Sequence, residues 1–134
     1  MASSPPPKLP DLSNTTVLVI DDDGDSLEVL STFLRACGTE VLAARTAAAG
    51  LAYLETSTRL DAIVTDLMMA DMDGVQFARR VRRHPTRKHL PVIAVTAYYE
   101  AYPSAPEFDG WLRKPVDLWE VGALIGRLTG RATP

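Results

Sequence analysis

Cysteine is nearly absent from this chain. Cys37 is the only one in 134 residues, so no intramolecular disulfide can form, and a reducing, cytoplasmic setting is compatible with the sequence. It precedes Gly38 at the end of a helical pattern and reads as a small buried hydrophobe rather than a reactive thiol. No apolar run approaches membrane-spanning length, and the first residues lack the apolar core of a signal peptide, so no membrane insertion is expected. An excess of positive charge is also missing. Fourteen Lys and Arg face seventeen Asp and Glu, a net charge of −3, which leaves no basic footprint for nucleic acid. Arg79, Arg80, Arg82 and Arg83 form the one basic run, and it reads as the solvated face of a helix. No internal repeat is visible.

What remains is the composition of one soluble globular domain, 46% hydrophobic and 23% charged. Proline is concentrated rather than scarce. Four of the first 14 residues are proline, so residues 1–14 are expected to form an extended, flexible leader or linker, with the folded domain at 15–130. Within that domain, short β-rich runs alternate with segments of helical spacing. Strands are expected at Val17–Ile20, Glu40–Ala44, Asp61–Thr65, Pro91–Val95 and Asp109–Arg113. Leu27, Leu30, Phe33 and Leu34 mark a first helix, capped by Asp25 or Ser26 and closed by Gly38. Thr46 caps a second helix running to about Glu55. A third follows Gly74 to about Arg83, and Asp117 caps a last one carrying Leu118, Val121, Leu124, Ile125 and Leu128. Alternating strands and helices imply a doubly wound α/β fold on a five-stranded parallel sheet.

Each strand that reads as buried delivers a polar residue at its carboxyl end. Asp21-Asp22-Asp23 follow the first, Asp66 ends the third, Thr96 ends the fourth, and Lys114-Pro115 end the fifth. In an open α/β sheet the carboxyl ends line one crevice, where ligands bind. Clustered carboxylates repel unless a cation lies between them, and oxygen ligands suit Mg²⁺. A lysine and a hydroxyl beside them point to the handling of a phosphoryl group.

This set resembles the receiver domain of two-component response regulators (the CheY-like superfamily), over roughly Thr15 to Gly130. The resemblance implies a flavodoxin-like strand order 2-1-3-4-5. It makes Asp66 the phosphoacceptor, taking its phosphoryl group from the phosphohistidine of a sensor kinase or phosphotransfer protein in a phosphorelay. Mg²⁺ would be held by Asp22, Asp66 and the backbone carbonyl of Met68, with Asp21 acting through a water. Thr96, Ala97 and Lys114 would contact the phosphoryl group, and Pro115 would follow a cis peptide bond. Trp111 stands where the family carries its switch aromatic, moving with Thr96; the alternative is a side chain permanently packed on the last helix. Asp23 and Asp25 read as loop or cap carboxylates.

Two departures from the family pattern stand out. Ala70 replaces the usual proline four residues after the acceptor, which predicts a less rigid loop. The 18 residues from Thr96 to Lys114 are short by about one helical turn and contain Pro103 and Pro106. Proline in a helix interior costs about 3 kcal/mol or more. The helix between the fourth and fifth strands is therefore expected to be absent or a single turn, with Tyr98, Tyr99 and Tyr102 in a loop. The face that this helix normally builds would then be lost, predicting a monomer or a dimer through another surface.

Two competing readings remain at this stage. Asp21-Asp22-Asp23 resembles the Asp-x-Asp nucleophile motif of haloacid-dehalogenase-type phosphatases, which would make the protein an Mg²⁺-dependent enzyme. That reading leaves Asp66 unexplained and lacks an acidic pair after Lys114. The other is a pseudo-receiver that binds partners without taking phosphate. The reading adopted is a signalling domain, not an enzyme, promoting only its own phosphorylation and dephosphorylation and acting through surface contacts.

Overall fold

The structure is a computed structural model and describes residues 8–97 and 105–131. Five strands and four helices follow one another among the described residues: β1 (Thr16–Ile20), α1 (Gly24–Ala36), β2 (Glu40–Ala44), α2 (Ala47–Thr56), β3 (Ala62–Asp66), α3 (Gly74–Arg83), β4 (Val92–Thr96), β5 (Gly110–Arg113) and α4 (Leu118–Leu128). The strands pair in parallel in the order 2-1-3-4-5, as expected. β1, β3 and β4 are buried at every position, which explains why their sequences read as apolar runs rather than alternations.

Helices cover both faces of the sheet. On one face α1 and α4 close over Val17, Val19, Val64, Ile93 and Val95. On the other, α2 and α3 pack on Leu18, Ile20, Ile63 and Val92, with Phe77 and Val81 fully buried. Alternate residues of β1 therefore feed the two cores, as the period of two along a strand requires.

Helix starts follow local chemistry. Asp23, not Asp25 or Ser26, is the N-cap of α1. Its carboxylate accepts from the Asp25 amide at 3.1 Å and the Ser26 hydroxyl at 2.8 Å, so the helix begins earlier than a cap at Asp25 or Ser26 would place it. Thr46 and Asp117 cap α2 and α4 as expected, and Asp73 caps α3. α1 ends at Ala36 with Cys37 as its C-cap, and the chain turns away at Gly38, whose φ of 96° and close approach to Ser13 admit no side chain without strain.

The segment read as part of a flexible leader packs against the domain from Lys8 onward. Leu12 is fully buried in the α1–α4 core, and its amide donates to the Cys37 carbonyl at 2.8 Å. Pro10 lies over Gly122 of α4, where a Cβ would come within 2.8 Å of it, and the Trp119 indole N–H donates to the Lys8 carbonyl at 3.2 Å. Composition reported the prolines but not Leu12, whose burial fixes the segment.

The expectation of a missing or one-turn helix after β4, and the placement of Tyr98, Tyr99 and Tyr102, fall on residues 98–104, outside the described residues. Residues 105–109 form a turn leading into β5. Arg82 of α3 ties that turn down, donating to the Glu107 carbonyl and the Asp109 carboxylate at 2.7 Å each, and to the Leu90 carbonyl at 2.6 Å. One member of the presumed solvated arginine face is thus a structural clasp. Arg79 also pairs with Glu107 at 3.1 Å.

Candidate functional site

Strand register brings the acidic residues together. Ile20 of β1 is level with Thr65 of β3, so the next residues, Asp21 and Asp66, emerge side by side at the carboxyl edge. Asp66 is level with Val95 of β4, and Thr96 with Arg113 of β5, which carries Lys114 to the same edge. Carboxylate oxygens of Asp21, Asp22 and Asp66 lie within 4.8 Å of one another. Asp21 and Asp66 are nearly buried, whereas Asp22 is exposed. Three carboxylates converging this closely supply only oxygen donors, the set that suits a hard divalent cation such as Mg²⁺.

Lys114 bridges the two buried carboxylates. Its Nζ lies 3.1 Å from Asp66 Oδ2 and 3.3 Å from Asp21 Oδ2. Burial by itself would lower the lysine pKa. The hydrogen bond and charge of Asp66, with the charge of Asp21, outweigh it and raise the pKa, so the ammonium persists. Asp21 is pushed above the usual carboxylate range chiefly by burial and also by the Asp66 charge. The Asp23 amide, donating to Asp21 Oδ1 at 2.9 Å, and Lys114 oppose that rise. The peptide bond from Lys114 to Pro115 is cis, as the resemblance implied.

The loop after β3 is pinned at both ends. Asp66 Oδ1 accepts from the Met68 amide at 3.2 Å, and the Gly74 amide donates to the Leu67 carbonyl at 2.8 Å. Gly74 has no space for a side chain: a Cβ would lie 2.7 Å from the Asp66 carbonyl oxygen and 2.8 Å from Leu67 Cα. Between these points, the Asp71 carboxylate accepts from the Ala47 and Ala48 amides at 3.1 and 2.9 Å, at the N-terminus of α2. These hydrogen bonds hold its pKa below the usual range. The loop that carries Ala70 in place of proline is thus held by a carboxylate on a helix end. The sequence offered Asp71 only as one more acidic residue.

Thr96 is almost wholly buried, and its carbonyl accepts the Lys114 amide at 2.9 Å. Ala97 is exposed beside it. Trp111 is half-buried on the α2–α3 side of the sheet, with its ring centroid 5.0 Å from that of Phe108 in an edge-on contact. α4 covers the opposite side through Leu112, so packing of Trp111 on the last helix is excluded by the alternation of β5. Asp23, which the sequence left as a loop or cap carboxylate, is occupied as the α1 cap. Arg45, not anticipated, donates to the Asp22 carbonyl at 3.0 Å.

A cleft of about 600 Å³ opens beside these groups, between α1 and the segment that follows β5. Asp21, Asp25, Ser26, Asp66 and Lys114 are its polar lining, and the rest is aliphatic.

A flavodoxin-like α/β domain with an acidic crevice bridged by one lysine at the carboxyl edge of its sheet belongs to a recognisable class. The sequence pattern of the "Response regulator receiver domain" family matches residues 17–123, and the chain belongs to that family. It is 35% identical over 118 residues to an uncharacterized 14.6 kDa protein of Leptolyngbya boryana, covering 85% of this chain and 89% of that one. It is 37% identical over 86 residues to the sensor histidine kinase CheAY of Helicobacter pylori, 63% of this chain but only 11% of the kinase. A crystal structure of a putative response regulator from Chloroflexus aurantiacus J-10-fl superposes with a TM-score of 0.78 at 29% identity, covering 87% of this chain and 98% of that one. The protein is therefore a receiver domain of two-component signalling. No helix among the described residues is long and apolar enough to cross a membrane.

Proposed function

We propose that the domain accepts a phosphoryl group on Asp66 from the phosphohistidine of a sensor kinase or phosphotransfer protein, and signals through a change of surface. The observation that carries this reading is the position of the Lys114 ammonium, in contact with Asp66 and Asp21 at once. A carboxylate attacks an anionic phosphoryl group poorly unless positive charge is fixed beside it. Lys114 supplies one such charge. Asp21, Asp22, Asp66 and the Met68 carbonyl would hold Mg²⁺, which when bound supplies the second and lowers the repulsion between the reactants.

In this reading an Asp66 oxygen attacks phosphorus, and the product is an aspartyl phosphate. Lys114, the Thr96 hydroxyl and the Ala97 backbone would contact its oxygens. Thr96 and Trp111 would carry the switch, Trp111 lying on the face of the sheet opposite α4. The proposed activity is confined to the domain's own phosphorylation and dephosphorylation, in the cytoplasm, without nucleic acid and without dimerisation through the usual face.

Intact-mass spectrometry after incubation with Mg²⁺ and a small phosphodonor tests this. One added phosphoryl group is expected on the wild type and none on Asp66→Asn. A stoichiometric label on that variant would overturn the assignment. Steady turnover of phosphomonoesters would instead favour the phosphatase reading.

A further inference from the structure

Asp22 is the exposed one of the three converging carboxylates, and its side chain makes no hydrogen bond or ion pair among the described residues. Its direction is therefore set by the backbone beneath it. That backbone is held at the peptide unit between Asp22 and Asp23. The N–H of this unit, on Asp23, donates to Asp21 Oδ1 at 2.9 Å. Its carbonyl, on Asp22, accepts from Arg45 Nη2 at 3.0 Å. One rigid plane is thus fixed from both sides. Rotating it would break the hydrogen bond to Asp21 and change ψ at Asp22, disturbing two of the three carboxylates at once. Arg45 is well anchored for this task. It follows Ala44, buried at the end of β2, whose carbonyl accepts the Asp21 amide at 3.1 Å, and it precedes Thr46, the cap of α2. Its guanidinium rests on Gly24: a Cβ there would stand 3.4, 3.5 and 3.6 Å from Cζ, Nη1 and Nη2, near-equal distances that lay the flat face of the group on that residue. A planar fork seated in this way loses little further freedom when it donates.

We propose that Arg45 is a positioning residue for metal binding: it holds the peptide plane between Asp22 and Asp23 so that the Asp21 and Asp22 carboxylates stay directed into the crevice. This rests on the Mg²⁺ site of the proposed function. Arg45 acts here against its own charge. A cation beside a site for a dication opposes binding by repulsion. A contribution of charge alone and a contribution of positioning therefore have opposite signs, and one substitution separates them.

The test titrates Mg²⁺ by calorimetry into the full chain, without phosphodonor, for wild type and Arg45→Met. The variant keeps an aliphatic stem and removes both the donors and the charge; Arg45 is exposed, so the fold is kept. Binding is expected to weaken roughly tenfold, the low end of the loss when a group that orients a metal ligand is removed. Unchanged or tighter binding, the outcome of charge alone, would overturn the proposal. A second readout is amide hydrogen exchange in the metal-free protein. The Asp23 amide should exchange faster in Arg45→Met, with β1 and β3 as protected as before. An Asp23 amide protected as in wild type, or protection lost across the whole sheet, would count against positioning. In labelling assays the Mg²⁺ concentration for half-maximal rate should rise by the factor seen in calorimetry, at an unchanged plateau; a lowered plateau with no such rise would also overturn it. Calorimetry and exchange do not involve the acceptor, so a failure to label Asp66 would sink that reading and leave this one standing. Absence of Mg²⁺ binding by the wild type would overturn this proposal together with the metal site.

Discussion

Replacing Gly74 with alanine sets two effects of known size against each other. Alanine is favoured over glycine by about 1 kcal/mol in a helix interior, and by about 0.4–1 kcal/mol through the unfolded chain where the native backbone suits it. Propensity alone therefore predicts a more stable protein. The local geometry predicts the reverse. The new methyl group would stand 2.7 Å from the Asp66 carbonyl oxygen and 2.8 Å from Leu67 Cα, both main-chain atoms that cannot rotate aside. Ordinary carbon contacts are about 3.5–4.0 Å, so the chain after β3 must move by more than half an ångström, roughly. Overpacking of this kind costs about 1–3 kcal/mol, and stretching the hydrogen bond from Gly74 to Leu67 adds about 0.5–1.5 kcal/mol. The net expectation is a loss of about 1–2 kcal/mol. With a urea dependence of about 1–3 kcal/mol per molar, the unfolding midpoint should fall by roughly 0.5–1 M at an unchanged slope. Gly126→Ala is the control, since its Cβ would meet nothing closer than 3.6 Å within α4. That variant should hold or gain stability. A midpoint for Gly74→Ala at or above wild type would refute the packing argument. The displaced residues adjoin the acceptor, so the rate of Asp66 labelling should fall even where the variant is fully folded.

Asp22→Ala should weaken Mg²⁺ binding more than Asp23→Ala, because Asp23 is committed to capping α1; equal losses in a calorimetric titration would contradict the ligand assignment. The same Asp23→Ala change should lower stability by about 1 kcal/mol through loss of the cap, measured by urea unfolding. Arg82→Ala should cost about 1–3 kcal/mol, since it frees carbonyls of Leu90 and Glu107 and the Asp109 carboxylate, whereas Arg80→Ala, without such bonds, should be near neutral. The depressed pKa of Asp71 means its contribution is present above the ordinary carboxylate pKa and lost as pH falls through the lower folded value; Asp71→Ala should therefore flatten the acid limb of the stability profile, and an unchanged limb would argue against the α2 contact.

Strand-end chemistry was legible because a doubly wound sheet gathers the carboxyl ends of its strands regardless of detail. Asp21, Asp66, Thr96 and Lys114 could be grouped from the runs that precede them, and the register then set them level. What escaped the sequence depends on contacts between elements remote in the chain. Leu12 reads as one apolar residue in a proline-rich leader, and only the gap between α1 and α4 gives it a core position. Arg82 is indistinguishable from Arg80 and Arg83 by charge, and its clasp requires the loop before β4 and the turn before β5 to lie on one side of α3. The orientation of Trp111 needed the strand's alternation to be fixed at Leu112. The aliphatic cleft has no sequence signature, because its walls come from α1 and from the segment after β5.

The link from Asp71 to the first turn of α2 gives the acceptor loop a stiffness of a different kind from the one proline confers. A pyrrolidine ring restricts the chain by covalent geometry and responds to neither salt nor acid. A carboxylate resting on helix-end amides holds by charge, and its grip loosens with ionic strength and with protonation. It also makes the second helix a tether: a sideways displacement of α2 pulls on Asp71, three residues from Met68, and so reaches the acceptor through the backbone. In this domain the rigidity of the loop is an adjustable quantity, set by its surroundings as well as by its sequence.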